Sequence, residues 1–315
     1  MYRQEMRWNL PGRTRRILAF SDLHFCDKVV GRRAELILTT LERICQEEKI
    51  DYIFFLGDLI NSLDVLSDTM LRMELKLFLD ELAAVAPVIM VTGNHDVSYY
   101  TAGATKGRMV PEQWYRWARV LMQNERIHVL DVRFGKSHAV FDDGVMRVLG
   151  MSLPEMCYPT TVSNGRGSAE AFREYAEKVL PELIKVPGRE YYLLLHNPQF
   201  LAHVKLDKRV AVLAGHMHNG LVPPVVDELM RFTSRGVVAP GYYNRKGRKM
   251  SYVPFGVGAR YRPNEKRPWL TLNSCIHMPP ESWLWKLDGF FPALSYAIIS
   301  GDESKLKFSS KYFRC

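Results

Sequence analysis

The chain lacks any uninterrupted apolar run approaching the roughly 18 to 20 residues that a membrane-spanning helix requires. Its amino terminus also lacks the apolar stretch of a secretory signal. The greasiest segment, Trp283 to Ser300, is interrupted by Lys286, Asp288 and Pro292 and reads as a buried terminal segment or an interfacial patch. Cysteine is sparse: Cys26, Cys45, Cys157, Cys275 and Cys315 are odd in number, widely spread and form no CxxC pair, which points to neither a disulfide framework nor a zinc ribbon. Reduced thiols and a cytoplasmic location are the expectation. There is no internal repeat and no low-complexity tract. Acid is nearly absent from Arg231 to Arg267, where ten Lys or Arg stand against Glu265 alone, so this stretch (10 − 1 = +9) carries the whole formal charge of +9.

What is present suits a large apolar core: 315 residues, 47% hydrophobic and 24% charged. Short apolar runs at 16–20, 52–56, 87–91, 191–195 and 210–214 are rich in Val, Ile, Leu and aromatics, as strands buried on both faces are. Helical periodicity at 32–48, 69–84, 112–123 and 168–183 separates many of them, an alternation that predicts an α/β fold. From 127 to 149 three short runs (127–130, 137–141 and 145–149) read as hairpin strands, with Asp143-Gly144 as a turn. Residues 222–268, punctuated by Gly and Pro, read as a basic irregular insertion after a core of about 15–221, with 269–315 as a C-terminal segment of the same single domain.

The strand-like runs are followed by polar residues: Ser21-Asp22-Leu23-His24, Gly57-Asp58, Gly93-Asn94-His95-Asp96, His196-Asn197 and Gly215-His216-Met217-His218. Open α/β sheets hold ligands beyond the carboxyl ends of their strands, so these segments are expected to form one shared site. Asp22 and His24 alternate, as do His216 and His218, and in an extended segment each pair would face one side and share an ion. Two divalent ions about 3.5 to 4 Å apart would activate water and clamp phosphoryl oxygens, and such a pair needs a bridging carboxylate. Asp58, after an apolar strand and a glycine, is the candidate bridge. Carboxylate, amide and imidazole donors without thiolate favour Mn²⁺, with Fe or Zn²⁺ as alternatives. Cys26 is close enough in sequence to touch the site, but packing is the favoured reading for a lone thiol.

The series Asp22-x-His24, Gly57-Asp58, Gly93-Asn94-His95-Asp96, His196 and Gly215-His216-x-His218 resembles the signature of the calcineurin-like metallophosphoesterase superfamily, in its order. The resemblance implies a four-layer sandwich in which two central mixed β-sheets are flanked by helices. It implies one ion held by Asp22, His24, Asp58 and His218 and a second by Asp58, Asn94, His196 and His216. It gives His95 no metal but a place facing the phosphate, as proton donor to the leaving group or stabiliser of the transition state. Asp96 would then orient His95 or cap the following turn, and Asn61 is read as a supporting residue. One departure is visible: Asn219 stands between His218 and Gly220, where many members have glycine directly.

These expectations describe a two-metal hydrolase of a phosphodiester or pyrophosphate, working by in-line attack of metal-held hydroxide. The alternatives are a nuclease whose basic insertion follows a nucleic-acid backbone, a phosphomonoesterase, or a non-catalytic scaffold, which the complete ligand set disfavours. Arg235 and Arg245 in the insertion are candidate substrate contacts, because Arg and Lys attract polyanions. Its aromatics, Tyr242, Tyr243 and Tyr252 among them, suit a base or a membrane surface, so phosphorylated small molecules, lipid-linked substrates and peripheral membrane contact are all considered. His128, His138, His203 and His277 lie outside the motifs and read as structural or surface residues.

Overall fold

The computed structural model describes residues 3–7, 15–27, 32–99, 108–134, 139–152, 166–196, 207, 209–215, 251–252, 294–301 and 305–313. The expected substrate contacts Arg235 and Arg245, the pair His216 and His218, and also Asn197, His138, His203 and His277, fall outside these residues.

Two mixed sheets face each other. The first has seven strands in the order β1 (Arg3–Arg7), β14 (Lys305–Phe313), β13 (Leu294–Gly301), β2 (Ile17–Phe20), β3 (Tyr52–Phe55), β4 (Val88–Met90) and β7 (Ile127–Val129). From β2 to β7 the pairing is parallel, whereas β13, β14 and β1 are joined antiparallel. The second has five: β12 (Ser251–Tyr252), β11 (Val210–Ala214), β10 (Glu190–Leu195), β9 (Met146–Met151) and β8 (Val140–Asp142), all parallel except the β8–β9 hairpin. A two-stranded ribbon, β5 (Ser98–Tyr99) and β6 (Arg108–Met109), stands apart.

The inner faces close on one another through Ile17, Ala19, Phe54, Leu56, Ile89 and Val91 from one sheet and Met146, Val148, Tyr192, Leu194, Ala211 and Leu213 from the other. Phe54 and Tyr192 meet edge to face with centroids 5.4 Å apart. The intervening residues of the same strands point outward. Leu18, Phe20, Ile53, Phe55, Val88 and Met90 pack under α1 (Arg32–Glu48) and α3 (Thr69–Val85), while α5 (Arg166–Ile184) lies against β9 and β10. Continuous apolar strands are what burial on both faces demands.

The helices follow their local chemistry. In α3, Leu75, Phe78, Leu79, Leu82 and Ala83 are buried at the spacing of one helical face. The Asp68 side chain caps it, accepting from the Met70 and Leu71 N–H groups at 2.9 and 3.1 Å, and Pro87 follows its end. Between it and β3 lies the single turn α2 (Asp64–Ser67). Helix α4 (Pro111–Leu121) opens on proline, whose missing N–H is no loss there.

Two expectations need correction, and one open alternative is resolved. The run 127–129 is not part of a hairpin with 137–149: it adds to the first sheet beside β4, and the hairpin is β8–β9 alone, turning at Asp143-Gly144. Gly144 has φ +89°, which glycine adopts without a Cβ penalty. Residues 222–268 are not wholly irregular, since Ser251–Tyr252 forms an edge strand on β11. The apolar stretch ending at Ser300 is a buried element in its described part, because β13 lies between β2 and β14 with Ala297 and Ile299 fully covered.

Candidate functional site

All the described motif residues collect beyond the carboxyl ends of β2, β3, β4, β10 and β11. After β2 and β3 the two chains continue side by side out of the sheet: Asp22 N–H donates to the Gly57 carbonyl (2.9 Å), His24 N–H to the Asp58 carbonyl (3.1 Å) and Phe25 N–H to the Leu59 carbonyl (2.8 Å). The Asp22–His24 segment is not extended, contrary to what the alternation predicts. Asp22, His24 and Asp58 adopt φ values of 55°, 48° and 54°, and Lys49 is the one other described non-glycine residue with positive φ. Left-handed backbone at three such residues in one place is strain that the surrounding structure has to hold, and such strain clusters at functional sites. Gly57 itself has φ +90°, and a Cβ there would lie 2.7 Å from His196 Nδ1.

Asp58 is the hub. Its Oδ1 accepts from the His95 N–H at 2.8 Å, while its Oδ2 lies 3.1 Å from His196 Nε2 and 3.8 Å from His24 Nε2. Asp22 Oδ1 stands 3.9 Å from His196 Nε2 and 4.0 Å from His24 Nε2. Two groups with metal-ligand spacing result, Asp22–Asp58–His196 and His24–Asp58–His95, and Asp58 belongs to both. Every member is buried, as is Asn94 at the end of β4. Cys26 packs in the apolar core.

The positions of these side chains are set by backbone atoms. His196 Nδ1 is 2.8 Å from the Leu56 carbonyl, which fixes that nitrogen as the donor and aims Nε2 at Asp58. His95 Nδ1 is 2.7 Å from the Asn61 carbonyl, which makes that nitrogen a donor too. The reading of Asp96 as a partner of His95 is therefore corrected. Asp96 Oδ2 accepts from the Asp58 N–H (3.1 Å) and the Gly93 N–H (2.7 Å), and Oδ1 accepts from the Ile60 N–H (3.1 Å). It ties the loop after β4 to the loop after β3. Gly93 permits their close approach, since a Cβ there would fall 2.2 Å from Asp58 Oδ1.

The electrostatics are those of carboxylates collected with imidazoles in a dry place. Burial pushes Asp58 up, but His196, His95 and His24 outweigh it and hold the carboxyl well below its usual range. Burial pushes His196 down, yet Asp58 and Asp22 lift it to about 9. Burial, then the charge of Asp58, raises Asp96 to about 7 despite its N–H donors. Oxygen and imidazole donors without thiolate, gathered around one shared buried carboxylate, fit hard or borderline divalent cations. Sequence reasoning missed the Leu56 and Asn61 carbonyls, because a backbone acceptor leaves no mark in residue type.

Comparison with solved structures places this arrangement among known folds. A dimetal phosphatase from Danio rerio superposes with a TM-score of 0.52 at 11% identity, over 96% of this chain and 97% of that one, which supports a shared fold. The NAD nucleotidase of Haemophilus influenzae matches at 0.47 and 12% identity, over 99% of this chain and 55% of that one. A nuclease from Pseudomonas putida matches at 0.30 and 14% identity, over 69% and 74%. No protein of curated function matches the sequence. No helix among the described residues is long and apolar enough to cross a membrane. The calcineurin-like phosphoesterase profile matches residues 15–220, a span that takes in every strand feeding the site, and the chain accordingly belongs to that family of hydrolases.

Proposed function

We propose that the protein hydrolyses a phosphodiester or pyrophosphate with two divalent ions, Mn²⁺ first among them. The observation that carries this reading is Asp58, buried and common to both ligand-spaced groups. Asp22, His24, Asp58, Asn94 and His196 would hold the ions, joined by His216 and His218. When bound, a metal pair lowers the pKa of water and neutralises phosphoryl oxygens. His95 has the proton-transfer role: its Nδ1 is committed to the Asn61 carbonyl as a donor, and in the imidazolium form its Nε2 carries the proton for the departing oxygen. Asp96 keeps the loops of Asp58 and Asn94 at a fixed separation, so ligands from two strands meet at one point.

A test is Mn²⁺-dependent hydrolysis of bis-p-nitrophenyl phosphate against p-nitrophenyl phosphate by the full chain, with metal content measured alongside. Diester preference is expected, abolished in Asp58→Ala together with bound metal. Turnover retained by Asp58→Ala, or absent from the wild type with metal loaded, would sink the reading. The second reading, a nuclease, is favoured by the ten cations of Arg231–Arg267. It requires binding of single-stranded DNA that falls steeply with added salt. The buried thiols of Cys26 and Cys45 agree with a reducing, cytoplasmic setting, and the same cations with contact at an anionic membrane surface.

A further inference from the structure

Directly after His95 and Asp96 the chain rises into the β5–β6 ribbon, whose base is stitched to the site. Ser98 N–H donates to the His95 carbonyl (3.3 Å), Leu63 N–H to the Ser98 carbonyl (3.0 Å) and Val110 N–H to the Val97 carbonyl (2.9 Å). In the ribbon Tyr99 lies opposite Arg108. The Tyr99 hydroxyl donates to Gln113 Oε1 and lies 3.5 Å from Ser67 Oγ, which holds its ring in place. Over that ring sits the Arg108 guanidinium, 5.2 Å from the centroid, on an exposed residue. Two other arginines beyond the strand ends are committed: Arg72 donates to the Leu66 carbonyl (3.0 Å), and Arg133 pairs with Asp131 (3.8 Å). Arg108 makes no hydrogen bond or ion pair with any described residue. It is a cation held in position by an aromatic face with its N–H groups available.

We propose that Arg108 determines specificity by binding a second phosphate in the leaving group, so that the preferred substrate is a small pyrophosphate diester. This rests on the hydrolase reading above, in which the leaving group departs beside His95, whose carbonyl accepts from Ser98 at the base of the ribbon. Water adds to one phosphorus and gives up a proton to solvent. The bond to the bridging oxygen breaks, and the departing phosphate keeps the electron pair and takes the His95 proton. Its remaining oxygens are what a planar guanidinium binds in paired hydrogen bonds. A single guanidinium, that of Arg108, suits one additional phosphate, whereas following a polynucleotide backbone calls for a series of cations.

The experiment measures kcat and KM of the Mn²⁺-loaded full chain for ADP-ribose, bis-p-nitrophenyl phosphate and a single-stranded oligonucleotide, in wild type, Arg108→Gln and Arg108→Lys. The expected result is a preference ratio, ADP-ribose over the nitrophenyl diester, that falls about tenfold or more in Arg108→Gln through a raised KM. Arg108→Lys should recover part of it, because the charge remains without the fork. An unchanged ratio overturns the inference alone. A loss shared equally by both small substrates in both variants marks a structural role and overturns it too, and a loss confined to the oligonucleotide reassigns Arg108 to a nucleic-acid track. A wild-type protein that turns over none of the three fails the hydrolase reading itself, and the inference with it.

Discussion

Asp96 contributes two oxygens to three backbone N–H groups from two loops, and that geometry makes its nearest substitute a poor one. An Asn in its place can offer one oxygen, so either Ile60 or the pair Asp58 and Gly93 must face an amide NH₂. We expect Asp96→Asn to cost about 1 to 3 kcal/mol in urea unfolding, from buried donors left unmet, and to release metal. A variant as stable and as metal-rich as wild type would refute the loop-tie role. For His95→Ala the expected loss in kcat is about 10²- to 10⁴-fold, the usual worth of a positioned acid, with bound metal retained. Loss of metal instead would make His95 a ligand, which its ring contact with His24 at 4.6 Å brings within reach. At this scale the sequence was legible in its side-chain chemistry. It was silent about the left-handed backbone at Asp22 and His24, because strain of this kind is imposed by neighbouring loops and not by the residues that bear it.

Strand β3 shows how an element serves both layers at once. Ile53 and Phe55 face the helices while Phe54 faces the second sheet and packs on Tyr192, so Phe54→Ala is expected to destabilise the fold by about 3 to 5 kcal/mol in denaturant titration. A cost under about 1 kcal/mol would mean the two sheets do not depend on this contact. The parallel strands and their helices were readable because burial on both faces writes itself as continuous apolar runs. The run 127–129 misled, since its short length and nearby turn residues look the same whether it pairs with its successor or crosses to β4. The strands β1 and β14 were not legible at all. Their pairing joins residues about 300 positions apart, such as Arg3 with Ser309, and no local pattern reports so distant a partner.

At the level of the molecule, the two sheets are joined at both ends. At the site end His196 from the second sheet meets Leu56 and Asp58 from the first. Metal binding there should strengthen the whole sandwich, by about 4 kcal/mol when free Mn²⁺ is 1,000 times its Kd, and melting temperatures with and without chelator will report it. At the other end Glu190 accepts from the Arg15 N–H (3.3 Å) and the Tyr192 hydroxyl (3.0 Å), while Asp143 receives the Arg15 Nε (2.9 Å) and the Tyr52 hydroxyl (3.0 Å). Burial raises Glu190 from 4.5 to about 7. The folded protein thus keeps a proton that the unfolded chain releases above pH 4.5, and this contribution to stability is whole below 4.5 and fades as pH rises through 7. Glu190→Gln, which resembles the protonated form, should gain on wild type between pH 5 and pH 8. Parallel stability curves for the two proteins would refute the shift.

The placement of β13 has a consequence for how this chain is made. Ile17, Leu18 and Ala19 of β2 pair on one side with β3, which emerges soon after, and on the other with Ala297, Ile298 and Ile299. A ribosome adding roughly 5 to 20 residues per second needs tens of seconds to travel from one partner to the other. Throughout that interval an apolar strand presents open backbone N–H and C=O groups, the kind of edge that recruits other chains. The nascent protein must be shielded along β2 until β13 has been made, and a chain stopped short of β13 would leave that edge open for good.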